Sequence, residues 1–282
     1  MAETAPAELR FAFGKNWSKF LESLSTERIA LARRSLQSTL GRESLVGCSF
    51  LDVGSGSGLF SLAARRLGAS VRSFDYDAES VRCTAELRRR YAPGDSGWAV
   101  EQGSALDRQY LASLGQHDVV YSWGVLHHTG AMWNALENMI PLVKPGGLLF
   151  IAIYNDQGRW SRRWHLLKRI YNRLPAVLRG PYTILVMGGR ELKSIAISAC
   201  RLQLGAYVRS WTRYASLSGR GMNRWRDMVD WLGGYPFEVA TPEAIFRFYR
   251  DRGFTLQEMT TCGGGLGCNE FVFRRLSHHS VP

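Results

Sequence analysis

Between Phe50 and Phe60 the chain reads Phe-Leu-Asp-Val-Gly-Ser-Gly-Ser-Gly-Leu-Phe, and a carboxylate, Asp75, follows nineteen residues after Gly56. Few architectures accommodate that arrangement. A short apolar strand must end in a turn whose alternate glycines, Gly54, Gly56 and Gly58, let backbone N–H groups approach a ligand, and a helix must begin at once with its positive end facing the turn. Asp75 then closes a second strand, within reach of sugar hydroxyls. This is the opening of a parallel α/β sheet, whose ligands bind outside the carboxyl ends of the strands.

Hydrophobic periodicity extends the pattern. It predicts helices over Arg28–Leu40, Leu59–Leu67, Glu79–Tyr91, Arg108–Leu114 and Met132–Val143. The strands expected between them are Ser49–Val53, Ser70–Asp75, Val100–Gln102, Asp118–Ser122 and Leu148–Ile153. Strands alternating with helices imply a parallel sheet covered on both faces. After Ile153 the alternation stops: residues 155–240 carry helical patterns and Gly/Pro punctuation but no convincing strand. It resumes at Thr241-Pro242-Glu243, a helix start with threonine as cap. Two last strands, Phe254–Thr260 and Glu270–Arg275, bracket Gly263-Gly264-Gly265-Leu266-Gly267 as a hairpin.

Dinucleotide sites favour G-x-G-x-x-G, whereas here the pattern is Asp52-x-Gly54-x-Gly56-x-Gly58. It resembles the first motif of the class I, Rossmann-like S-adenosylmethionine-dependent methyltransferases. The resemblance runs over roughly residues 50–153: Asp75-Tyr76 after the second strand, Gly103-Ser104-Ala105 after the third, Trp123 through Thr129 after the fourth, and Lys144-Pro145-Gly146-Gly147-Leu148 before the fifth. It implies a doubly wound, seven-stranded, mostly parallel sheet with a C-terminal antiparallel hairpin, and a mainly helical insert after the fifth strand. It also implies S-adenosylmethionine as cofactor, held by Asp52, Gly54, Ser55, Gly56, Gly58, Asp75, Tyr76, Ser104, Ala105 and Trp123. Asp52 would support the loop and the amino-acid end of the cofactor, and Tyr76 would lie against adenine. The family's usual acid in the third loop is replaced by Ser104, for which Asp107 is a substitute. An aromatic N-terminal segment, Phe11-x-Phe13-Gly14-Lys15-Asn16-Trp17, has the content of a lid, with Trp17 or Phe13 facing the sulfonium.

The fourth loop carries His127 and His128, and the leucine-histidine pair is similar to that of members acting on small molecules, including ubiquinone-biosynthesis O-methyltransferases. A histidine, with its ordinary pKa near about 6.5, can take a proton from a hydroxyl acceptor. The Asn/Asp-Pro-Pro-Tyr/Phe signature of enzymes that methylate base nitrogens is absent from this loop. Tyr154, Asn155, Arg220, Asp230 and Tyr235 are candidates for orienting the acceptor.

Charge singles out the insert. Residues 155–240 hold fifteen Lys/Arg against five Asp/Glu, ten of the chain's twelve net positive charges. In it Trp160, Trp164, Leu167, Tyr171 and Leu174 recur at helical spacing, interleaved with Arg159, Arg162, Arg163, Arg169 and Arg173. Three readings stay open for this basic amphipathic helix: an element meeting anionic lipid, a nucleic-acid patch, or a lid packed on the core. The expected organisation is an N-terminal helical lid over residues 1–48, a core of 49–154 and 241–276, and the insert as an acceptor-binding cap. The expected activity is methyl transfer to oxygen or sulfur of a quinol, phenol or thiol. The alternative is an RNA or protein methyltransferase docking through the insert. The five cysteines are scattered singly, with no C-x-x-C pair, so free thiols and no structural metal are expected. Without a signal sequence or a run of about 20 apolar residues, a cytoplasmic protein is expected, with peripheral membrane contact through the insert as one reading.

Overall fold

A computed structural model describes Phe11, Leu21, residues 24–212 and residues 224–277. In chain order its elements are α1 (Thr26–Leu40), β1 (Ser49–Val53), α2 (Leu59–Arg66), β2 (Ser70–Asp75), α3 (Ala78–Tyr91), β3 (Trp98–Gln102), α4 (Arg108–Leu114) and β4 (His117–Trp123). They continue with α5 (Met132–Met139), β5 (Val143–Tyr154), α6 (Arg159–Arg173), α7 (Ala176–Cys200), α8 (Leu204–Thr212), α9 (Arg224–Gly233), α10 (Pro242–Arg250), β6 (Phe254–Thr260) and β7 (Cys268–Arg275). The seven strands form one sheet in the order β3-β2-β1-β4-β5-β7-β6. β1 to β5 pair in parallel and β7 runs antiparallel between β5 and β6. The fold is the Rossmann-like one implied by the sequence, and the strand order reverses between β1 and β4.

Alternation along the strands builds two core layers. Phe50, Val119 and Tyr121 join Ile29, Leu36, Leu62 and Leu87 on one face, while Leu51, Val53 and Val120 join Leu136, Ile245 and Tyr249 on the other. Helix starts follow side-chain capping: Ser25 accepts from the Arg28 N–H, Asp77 from Glu79, Asp107 from Gln109 and Tyr110, and Thr241 from Ala244. Asp107 caps α4 through a single oxygen, Oδ1, which accepts both N–H groups.

Several boundaries differ from expectation, β3 and β7 each beginning two residues early; the largest differences lie between α5 and β5. The helix expected to reach Val143 ends at Met139 and tightens into a 3-10 turn over Ile140–Leu142. Pro141 has no N–H for the next helical bond and its ring crowds the preceding turn. β5 begins earlier than expected because Val143 already pairs with His117; the register then shifts before Leu148 meets Val119.

By its contacts the chain divides into two compact units. The sheet unit holds the described residues up to Ser161 and from Pro236 onward, and the helical unit holds Phe11 and Arg162–Tyr235. Within the helical unit Trp164, Leu167 and Tyr171 of the α6 stripe take part in packing. Tyr171 is buried, Trp164 meets Trp231 edge to face at 5.6 Å, and the Tyr182 hydroxyl donates to the Leu167 carbonyl at 3.2 Å. Arg162, Arg163, Arg169 and Arg173 are exposed. Trp160, at the start of the stripe, is 60% exposed, so the packing takes up the stripe from Trp164 onward. Beside it Lys168 is fully buried, its ammonium donating to the Trp231 carbonyl and lying 4.2 Å from the centre of that indole; burial lowers its pKa to about 7. All five cysteines are free thiols. Among the described residues no helix is long and apolar enough to cross a membrane, and no group of three or more His, Cys, Asp or Glu is placed to hold a metal ion.

Candidate active site

Four loops gather at the carboxyl ends of β1 to β4. In the first, Gly54, Gly56 and Gly58 all adopt left-handed backbone, with φ of 79°, 55° and 78°. The turn is bound to β2 by the Gly54 and Ser55 N–H groups, which donate to the Phe74 carbonyl at 2.8 and 3.1 Å. Gly54 is also sterically required: an added Cβ would lie 2.4 Å from both methyls of Val125, on the fourth loop. Gly54→Ala is expected to cost about 1–2 kcal/mol from the left-handed backbone alone and more from displacing Val125. Gly253 has the same φ, 78°, with nothing within 4 Å of an added Cβ. Urea unfolding of Gly253→Ala thus supplies the backbone cost by itself, and the excess for Gly54→Ala measures the loop contact.

The acids take distinct positions. Asp75 is half-buried at the end of β2, one carboxylate oxygen accepting from the Gly56 N–H at 2.9 Å and the other from the Asp77 N–H at 2.9 Å. Burial raises its pKa to about 6, against the opposing pull of those two N–H groups. Asp52 is turned inward, only 2% exposed, and accepts from the Ser61 hydroxyl. Ser61 is 2.7 Å from the Ser73 hydroxyl, which accepts from the Trp98 indole at 2.8 Å. Burial, reinforced by the nearby Asp75 charge, pushes Asp52 up to about 7 even though Ser61 opposes the shift. Its geometry is that of a brace behind the loop, without a carboxylate facing outward.

Around this turn, Ser55 shares a hydrogen bond with Thr84 at 2.9 Å, and Tyr76 is 52% exposed. In the third loop the Ser104 hydroxyl accepts from the Leu106 N–H at 3.2 Å, and the Ala105 carbonyl accepts from the Asn138 carboxamide at 3.0 Å. The Trp123 indole N–H donates to Glu270 at 2.8 Å, which draws that end of the ring toward β7.

The two histidines differ in kind. His127 is fully buried and its Nδ1 accepts from the Tyr154 backbone N–H at 3.4 Å; a backbone N–H only donates, so in the neutral ring the proton is on Nε2. His128 is half-buried, and its Nδ1 lies 2.6 Å from the Pro236 carbonyl. A carbonyl only accepts, so Nδ1 carries the proton and the lone pair of the neutral ring is on Nε2. The His127 and Tyr154 rings are 4.0 Å apart, and Phe237 lies 5.3 Å from Tyr154. The segment after Tyr235 holds this loop throughout: the Glu238 N–H donates to the His127 carbonyl at 3.0 Å, and both Glu238 oxygens accept from the Met132 N–H at the start of α5, at 3.0 Å.

Asn155 faces the hairpin loop, donating to the Gly265 carbonyl at 3.4 Å and accepting from Asn269 at 3.0 Å. Asp230 and Tyr235 belong to the helical unit, where the Tyr235 carbonyl accepts from Phe11 at 3.1 Å. Trp17, Phe13 and Arg220 lie outside the described residues. Sequence reasoning missed Val125, Thr84, Pro236 and Glu238; only the Pro-Phe-Glu run was visible, with nothing to connect it to a loop more than a hundred positions earlier.

A family model described as a methyltransferase domain matches residues 15–181. A ubiquinone biosynthesis O-methyltransferase from Parvibaculum lavamentivorans is 33% identical over 112 residues, 38% of this chain and 40% of the relative. A ribosomal protein L11 methyltransferase from Xanthomonas campestris pv. campestris is 32% identical over 127 residues, 44% of this chain and 37% of the relative. These matches thus span about two fifths of the relatives' length. In fold, the chain is similar to magnesium protoporphyrin IX methyltransferase from Synechocystis PCC 6803, solved with bound SAH, at a TM-score of 0.52 and 14% identity, with 93% of each chain covered. The glycine turn leaves room for close backbone approach, a carboxylate stands at the end of β2, and the model covers more than half of the chain: it belongs to the methyltransferase domain family, as a class I, Rossmann-like enzyme that uses S-adenosylmethionine.

Proposed function

We propose that the chain methylates a hydroxyl oxygen, or a thiol sulfur, on a small aromatic acceptor of the quinol or phenol class, with His128 as proton acceptor. The observation that carries this reading is the 2.6 Å hydrogen bond from His128 Nδ1 to the Pro236 carbonyl, because it assigns the basic lone pair to Nε2. When bound, S-adenosylmethionine supplies an electrophilic methyl group on a sulfonium. The protein's own part is positional: Gly54, Gly56 and Gly58 let the backbone close on the cofactor, and Asp75 accepts from its ribose hydroxyls. The backbone N–H groups of Gly56, Tyr76 and Asp77 leave the carboxylate, with about four lone-pair sites, capacity for a sugar hydroxyl. Tyr76 would offer its ring to adenine, and Ser104 and Ala105 would help to hold it. His128 Nε2 takes the acceptor's hydroxyl proton as its oxygen accepts the methyl group, and later returns that proton to water. Holding the reactants aligned supplies several kcal/mol, of the order of 7 or more. The name of the Parvibaculum relative supports an oxygen acceptor of this type.

A second reading, methylation of RNA or protein docked through the insert, draws on the exposed arginines of α6 and on the name of the Xanthomonas relative. Methyl-labelled S-adenosylmethionine incubated with a cell extract and then partitioned by solvent separates the two. Label is expected in the organic phase or the small polar pool; label in RNA or in protein would reject the small-acceptor reading.

A further inference from the structure

The helical unit exposes an apolar face that its own packing leaves uncovered. On α7, Val177, Ile184, Leu185, Leu192 and Ile195 are 81%, 62%, 77%, 67% and 37% exposed. At 3.6 residues per turn these five positions fall within an arc of about 100°, and the helix is about 37 Å long. The other positions on that arc are Pro181, Gly188 and Ala199, so it contains no charge. The opposite side is the packed one, where Thr183 and Met187 are buried. The stripe continues past the end of the helix. Leu202 is held in left-handed backbone, φ 54°, and is 94% exposed, and Leu204 and Val208 on α8 are 51% and 57% exposed.

Charge identifies the occupant. Lys193, Arg201 and Arg209 are exposed on α7, at its end and on α8. The one acid of α7, Glu191, is held by Arg224 at 2.8 Å and by the Tyr207 hydroxyl at 3.0 Å. A second copy of the chain would bring ten more surplus positive charges against the first ten. Nucleic acid would satisfy the cations and leave the leucines and isoleucines in water. An anionic bilayer surface meets both demands: the apolar stripe enters the boundary between headgroups and acyl chains, and Arg201 and Arg209, next to Leu202 and Val208 in the chain, meet lipid phosphates. We infer that α7 and the start of α8 form a peripheral docking surface for anionic lipid, lying in the interface without spanning it.

Flotation with vesicles tests this inference. The intact protein is expected to float with vesicles of equal phosphatidylcholine and phosphatidylglycerol, and at least tenfold less with phosphatidylcholine alone. Ile184→Glu/Leu185→Glu should reduce binding to the mixed vesicles at least tenfold. Leu31→Glu, at a 54% exposed position on α1, should leave it unchanged. The milder Ile184→Ser/Leu185→Ser, with helicity checked by circular dichroism, should show an intermediate loss. Wild type that fails to float with the mixed vesicles overturns the inference, as does equal binding by the wild type and the double glutamate variant. So does a solution dimer, seen by light scattering, that the glutamates dissolve while vesicle binding stays as it was. No methyl transfer enters these measurements, so their failure would leave the proposed reaction standing.

Discussion

Asp75→Ala is expected to weaken S-adenosylmethionine binding by at least about 1.5 kcal/mol, roughly tenfold, the value of losing charge-assisted hydrogen bonds. Titration calorimetry reads it directly, and unchanged affinity would remove Asp75 from the site. Because Asp75 also holds the Gly56 and Asp77 N–H groups, the apo variant must be melted alongside. A ribose contact lowers affinity beyond any loss of apo stability, whereas a slackened loop lowers both together. The pH dependence gives a second signature. The ionised carboxylate is the better acceptor for a sugar hydroxyl, so wild-type affinity should rise as pH increases through about 6 and level off above it. Apo stability should run the other way. Asp75 and Asp52 have folded-state pKa values raised from 3.8 to about 6 and about 7, so their contribution is fully present below about 4. It is lost as pH climbs through those values. The melting temperature of the apo protein should therefore fall between pH 5 and pH 8, less steeply in Asp52→Asn.

His128→Asn is expected to lower kcat about 10²-fold or more, the usual contribution of a positioned general base, with cofactor affinity within about twofold of wild type. The effect should shrink for an acceptor acidic enough to be ionised at the assay pH, since such a hydroxyl has no proton to surrender. That interaction between variant and acceptor acidity separates proton transfer from simple mispositioning. His127→Asn should behave differently. His127 is fully buried against Tyr154, so its replacement should appear in thermal stability before it appears in rate. Full turnover in His128→Asn with a weakly acidic hydroxyl would mean that the chemistry is positional and that the imidazole only packs.

Much of the sheet unit could be read from local sequence because its determinants are local. β1, β2, α4 and β6 begin and end where apolar runs meet a cap or a glycine, and the structure reproduces those bounds. The end of α5 was misread because the apolar period continues through Ile140 and Leu142, while Pro141 decides the backbone. The site was half legible. A glycine turn and an acid at the end of the next strand announce themselves by spacing. The inward turn of Asp52 depends on Ser61 and Ser73 lying behind it, which only the packed sheet determines. Nor could the sequence distinguish His127 from His128, since Pro236, which sets the His128 tautomer, is 108 positions away. In the insert, Pro181 and Gly188-Gly189 read as punctuation, so the apolar period of α7 was passed over in favour of the denser pattern in α6.

The short run from Pro236 to Ala240 clasps the histidine loop through the Pro236 carbonyl, the Glu238 amide and the Glu238 carboxylate, then joins β5 where the Ala240 N–H donates to the Tyr154 carbonyl at 3.0 Å. The bond that sets the His128 tautomer thus lies inside the sheet unit, with the first residue after a long excursion. Exchange of the helices upstream of the clasp would therefore leave both partners of that hydrogen bond in the chain, whatever the replacement carried.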